Sequence, residues 1–148
     1  MIEAYATLGE NANLIAVEEV PEDRTHMYGV VGMGERKGKA FAITGMIEKP
    51  ARGKAPSNRI ITGRYILQPE IFEFLAKQEQ GAGGEIQLTD AMLGLAKKKP
   101  FYGFDFEGRT FDCGSKIGFL AANVAYALAR EDLAAAFRAE LNSLLARK

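Results

Sequence analysis

Ala40-Phe41-Ala42-Ile43-Thr44-Gly45-Met46-Ile47-Glu48-Lys49-Pro50 is the stretch that decides the fold. Apolar and β-branched residues run to a charged pair, and a proline stops them, which predicts a strand over 40–49. The same signature recurs on either side. Residues 13–20 (NLIAVEEV), 28–33 (YGVVGM), 59–67 (RIITGRYIL) and 101–106 (FYGFDF) each predict a strand. Between them, residues 21–27 are polar and turn-like, 34–39 (GERKGK) suit a hairpin loop, and 51–58 (ARGKAPSN) have loop composition.

Helices occupy the remainder. Pro69 suits the first turn of one, with Ile71, Phe72 and Leu75 on its apolar face. Gly81-Ala82-Gly83-Gly84 reads as a flexible breaker. Leu88, Met92, Leu95 and Ala96 share a face in a helix over 88–99. Lys97-Lys98-Lys99 then falls at the negative end of that helix's dipole, a solvated terminus or, alternatively, a phosphate contact. Ile117, Leu120, Ala121, Val124 and Leu128 form one last stripe, and Leu133, Phe137, Leu141, Leu144 and Leu145 another, closed by Arg147 and Lys148. Met1 to Gly9 reads as the final turns of a helix with a glycine stop, which suggests either a chain that continues upstream or a short native helix.

Composition excludes several classes. The 148 residues are 47% hydrophobic and 26% charged, the balance of a folded soluble domain rather than a disordered chain. Nineteen basic residues offset nineteen acidic ones, so no global field attracts nucleic acid, and none is expected as a partner. No apolar run approaches a membrane span, and no secretory leader is expected. The single cysteine, Cys113, excludes an internal disulfide; a reducing, cytoplasmic compartment is expected, with Cys113 a small buried side chain.

Three clusters carry candidate chemistry. Gly29 lies within a predicted strand, where glycine is costly unless a ligand or another backbone approaches closely. Glu48-Lys49-Pro50 ends a strand, offering a carboxylate for hydroxyls and an ammonium for phosphate. Neighbours on a strand point to opposite faces, so the two meet one ligand only if the strand bends there. An exposed ion pair is the plainer alternative. Phe111-Asp112-Cys113-Gly114-Ser115-Lys116-Ile117-Gly118 precedes a helix. Asp112 is there either a cap or a hard oxygen ligand for a divalent metal.

The order of these motifs is more specific than any one of them. Tyr28-Gly29-Val30-Val31, Glu48-Lys49-Pro50, Ala55-Pro56-Ser57-Asn58, Gly63-Arg64-Tyr65, Gly84-Glu85-Ile86-Gln87-Leu88-Thr89-Asp90 and Asp112-Cys113-Gly114-Ser115-Lys116-Ile117-Gly118 follow in series. That series resembles the bacterial UTP–glucose-1-phosphate uridylyltransferases, or UDP-glucose pyrophosphorylases. The resemblance covers nearly the whole chain but omits the family's Gly-x-Gly-Thr-Arg nucleotide loop and its first metal aspartate. It therefore implies the C-terminal, sugar-phosphate-binding half of a Rossmann-like nucleotide-diphospho-sugar transferase. The implied α/β fold is a mixed, mostly parallel sheet with flanking helices and a helical C-terminal tail. One partial domain is expected, with residues 1–112 forming the sugar and metal half and 113–148 the helices. Half a sheet would leave an open edge.

The resemblance also implies roles. Gly29 admits the sugar; Glu48 accepts from glucose hydroxyls; Lys49 neutralises the sugar phosphate; Ile61, Gly63 and Tyr65 line the sugar pocket. Asp112 is the implied magnesium (Mg2+) ligand, and with Lys49 a catalytic residue; Lys116 contacts phosphate. The implied partners are glucose 1-phosphate and UTP or UDP-glucose, within a homo-oligomer, and the isolated chain is expected to be inactive. Two alternatives stand beside this: a stand-alone sugar-phosphate-binding or regulatory module, and a thymidylyltransferase-type relative using another sugar 1-phosphate.

Overall fold

The computed structural model describes residues 1–78 and 86–146. The stretch 81–84 and Glu85 lie outside these residues, as do Arg147 and Lys148. The chain forms two compact units, Met1–Glu107 and Gly108–Lys148.

The first unit holds α1 (Ile2–Ala6), β1 (Asn13–Glu19), a 3-10 turn (Glu22–Met27), β2 (Gly29–Lys37), β3 (Ala40–Glu48), β4 (Arg59–Ile66), α2 (Ile71–Lys77), α3 (Leu88–Ala96) and β5 (Phe101–Asp105). The second holds α4 (Lys116–Ala129) and α5 (Ala134–Ala146). The expected loop at 34–39 contracts to a two-residue turn at Gly38-Lys39, because β2 keeps pairing with β3 as far as Lys37 opposite Ala40.

The sheet is mixed, but the expectation of mostly parallel pairing is corrected. Only β1 and β5 run parallel; β1–β4, β2–β3, β2–β4 and β3–β5 are antiparallel. A parallel neighbour needs a long connection, and β2, β3, β4, α2 and α3 all lie between β1 and β5 in the chain. The described strands pair in the order β1-β4-β2-β3-β5, with the β2–β4 contact resting on the single pair Val30–Ile60.

Strand β1 is buried over its first five residues, and its alternation builds both layers. Ile15 and Val17 pack with Val31, Phe41, Met46, Ile71, Met92 and Leu95 beneath α2 and α3. Leu14 faces the other way, with Ala12, Ala40 and Tyr102, against Ala4, Tyr5 and Leu8 from the α1 region. Helical segments thus flank both faces of the sheet. Complete burial of Ile15 and Val17 stabilises the fold by about 1.5–3 kcal/mol each, relative to exposure. Asn13 is fully buried yet satisfied: its amide donates to Pro100 O (3.2 Å), and its Oδ1 accepts from the Gln68 N–H (2.8 Å).

Two surface expectations change. The lysines after α3 are not simply solvated, since Lys99 pairs with Glu70 at 2.5 Å and Lys98 lies 5.2 Å from the centre of the Phe74 ring. Cys113 is exposed rather than buried, because it falls in the turn before α4.

Candidate functional site

The β2–β3 ladder sets Gly29 directly opposite Glu48. Pairing of Val30 with Ile60 brings β4 alongside, so Ile61 reaches the same place. A methyl group on Gly29 would lie 2.9 Å from Glu48 Oε2 and 3.1 Å from Ile61 Cδ1. The strand glycine therefore leaves room for a close approach, and what approaches is the candidate carboxylate itself. Tyr65, farther along β4, is half-buried. Burial, and then the negative charge of Glu48, push its phenol above the usual tyrosine range.

Gly63 has a structural reason of its own. Between the pairs Val17–Ile61 and Ile15–Tyr65, β4 carries three residues where β1 carries only Ala16. The surplus bulges out, Gly63 takes a φ of +74°, and the Thr62 hydroxyl donates to Ala16 O at 2.9 Å. The bulge lies between Ile61 and Tyr65, so it spaces the two along β4.

Lys49 departs from the strand. Its φ is +45°, a left-handed conformation held here by no other non-glycine among the described residues. Its N–H still donates to Tyr28 O at 3.1 Å, extending the ladder by one bond. Such a backbone costs about 1–2 kcal/mol in a residue with a Cβ, and it ends the two-residue alternation that would part Glu48 from Lys49. The bend expected at Pro50 thus falls one residue earlier. After Pro50, the loop is tied back onto β2 by the Ser57 hydroxyl, which donates to Val31 O at 2.6 Å.

Sequence reasoning missed Thr89. It is buried in the first turn of α3, and its hydroxyl donates to Glu48 Oε2 at 3.0 Å. Its position within the Glu85–Asp90 motif was the available signal, but nothing local to that motif names a partner 41 residues away.

Asp112 and Lys116 belong to the second unit. Asp112 is not the cap of α4. Ser115 is, with its Oγ accepting from the Gly118 N–H at 3.0 Å and donating to Asp112 O at 3.1 Å. Asp112 Oδ1 accepts from the Gly114 N–H at 3.0 Å, and its other oxygen accepts from none of the described residues. A Cβ on Gly118 would meet Asp112 O at 2.0 Å, so this glycine lets the turn close. Among the described residues no group of three His, Cys, Asp or Glu gathers for a metal. A lone exposed carboxylate with one unengaged oxygen fits magnesium, which takes one or two carboxylates and completes its shell with phosphate and water. Lys116 is exposed at the first position of α4.

The sequence profile of the nucleotidyl transferase family matches residues 1–128. The chain belongs to that family. A UTP–glucose-1-phosphate uridylyltransferase of Staphylococcus epidermidis is 41% identical over 144 residues, 97% of this chain and 49% of the relative. A second from Staphylococcus saprophyticus is 45% identical over 133 residues, covering 90% and 45%. Among solved structures, a UDP-glucose pyrophosphorylase from Acinetobacter baumannii superposes with a TM-score of 0.83 at 36% identity, over 97% of this chain and 49% of that one. A UDP-glucose pyrophosphorylase complexed with UDP-glucose gives 0.78 at 38% identity, over 86% and 48%. This nucleotidyl transferase chain spans about half the length of the curated relatives it matches. Among its described residues no helix is long and apolar enough to cross a membrane.

Proposed function

We propose that this chain supplies the sugar-phosphate-binding half of a UTP–glucose-1-phosphate uridylyltransferase, which forms UDP-glucose and pyrophosphate from UTP and glucose 1-phosphate. The convergence of Gly29, Glu48 and Ile61 beside the left-handed Lys49 carries this reading. A phosphate oxygen of glucose 1-phosphate attacks the α-phosphorus of UTP in line, and pyrophosphate departs with the electron pair of the broken bond. Positioning and charge neutralisation supply most of the catalysis. Glu48 accepts hydrogen bonds from sugar hydroxyls. Lys49 offsets the charge of the sugar phosphate, which otherwise repels the triphosphate. Ile61, Gly63 and Tyr65 line the sugar's apolar side, and Lys116 contacts phosphate.

Asp112 would hold magnesium, which when bound neutralises charge on the two phosphates. That its second carboxylate oxygen accepts from none of the described residues supports that role. A cytoplasmic setting accords with one cysteine in the chain. A homo-oligomer accords with the exposed apolar residues Ile117, Leu120 and Tyr126 of α4.

Calorimetric titration of the chain with glucose 1-phosphate tests the reading. Lys49→Ala should weaken binding about ten- to a hundredfold, the loss of one charge-assisted contact, while Lys98→Ala should leave it unchanged. Equal effects from the two lysines would sink the assignment.

A further inference from the structure

Glu48 has two carboxylate oxygens in unlike surroundings. Oε2 lies over Gly29 and accepts from Thr89 at 3.0 Å. Oε1 accepts from none of the described residues. Thr89 is the second residue of α3, so its hydroxyl has no carbonyl of its own helix one turn earlier to return to. Here it leaves its own helix for a carboxylate on β3. The helix that carries it is firmly held, since Met92 and Leu95 are essentially fully buried in the core. Gly94 packs closely against the Phe74 ring of α2. The hydroxyl is thus fixed in space by α3, not by the sheet it acts upon.

The geometry points to Thr89 as a positioning residue for the sugar site, a role that rests on the function proposed above. By occupying Oε2, it fixes the side-chain torsions of Glu48 and leaves Oε1 as the oxygen offered to a sugar hydroxyl. An unpinned glutamate samples several rotamers and must lose that freedom when sugar binds. The pin removes that loss beforehand. Its effect falls on the sugar hydroxyl contact and leaves the phosphate contact of Lys49 alone.

The test titrates the chain with two probes, glucose 1-phosphate and inorganic phosphate. Thr89→Val keeps the shape and removes the hydroxyl; it should weaken glucose 1-phosphate about tenfold or more and leave inorganic phosphate unchanged. Thr89→Ser should restore binding. In a Glu48→Gln background, Thr89→Val should cost distinctly less than it does alone, because coupled groups are not additive. If Thr89→Val does not fold, Thr89→Ala, which favours a helix, carries the same comparison. The positioning role is overturned if Glu48→Gln abolishes sugar-phosphate binding while the valine and alanine variants bind normally. It is overturned as well if both probes weaken alike, since that marks a general structural loss. Glucose 1-phosphate binding that is unaffected by Glu48→Gln would instead overturn the sugar site itself, and Thr89's role with it.

Discussion

Gly29→Ala should injure the site while sparing the fold, and the structure gives the reason in two distances. The new methyl would lie 2.9 Å from Glu48 Oε2 and 3.1 Å from Ile61 Cδ1. The nearer atom is the tip of a flexible side chain, so the carboxylate swings away rather than the strand. That movement breaks the hydrogen bond to Thr89, a loss of about 1.5–3 kcal/mol for a charged acceptor. Replacing a strand glycine returns about 0.5–1 kcal/mol of unfolded-state entropy. The net cost in stability is therefore about 0.5–2.5 kcal/mol, visible as a modest drop in the urea midpoint. Binding should suffer more, because Glu48 no longer faces the sugar: glucose 1-phosphate affinity should fall more than tenfold. Gly103→Ala is the contrasting variant. Its methyl would meet Phe41 Cζ at 2.3 Å, and Phe41 is wholly buried, with no space to turn into. Overpacking there should cost about 1–3 kcal/mol, with the affinity of the folded fraction preserved. Denaturation and calorimetric titration of both variants decide the matter. A Gly29→Ala chain that binds glucose 1-phosphate as the wild type does would refute the placement of Glu48.

Four further outcomes are expected. Lys49→Gly should raise stability by about 1 kcal/mol by relieving the left-handed backbone, yet weaken glucose 1-phosphate, so melting temperature and affinity move in opposite directions. Asp112→Asn keeps the acceptor for the Gly114 N–H, so melting should stay near wild type; in a protein of the relatives' length, turnover should fall and the magnesium requirement rise. The 148-residue chain alone should give background signal in a coupled pyrophosphate assay, because it contains no Gly-x-Gly-Thr-Arg loop. Tyr65, whose folded phenol is raised by burial and by Glu48, contributes stability that is intact below the ordinary tyrosine value and is lost as pH rises through the raised folded value; Tyr65→Phe should flatten that alkaline decline in urea midpoints.

The strands were legible in the sequence because each is a short apolar run with its own stop. Residues 13–20, 40–49, 59–67 and 101–106 contain β1, β3, β4 and β5 almost to the residue. The series of motifs from Tyr28 to Gly118 identified the family, since side-chain order survives without knowledge of the fold. What the local pattern could not supply was partnership. Asn13 meets Phe101 in parallel, and Gly29 meets Glu48 across a hairpin whose turn is four residues shorter than the loop that the composition of 34–39 suggests. Alternation with period two says which face a residue takes, not which strand lies beside it, so the antiparallel majority stayed hidden. The turn before α4 left two readings of Asp112 open for a related reason. Aspartate and serine are both capping residues, and only the backbone path assigns the cap to Ser115 and turns the Asp112 carboxylate to the Gly114 N–H. Lys49 took its left-handed bend from the loop and strand around it. Thr89 reached Glu48 because the core holds α3 against β3, and packing between elements distant in the chain is a property of the whole assembled surface rather than of any segment within it.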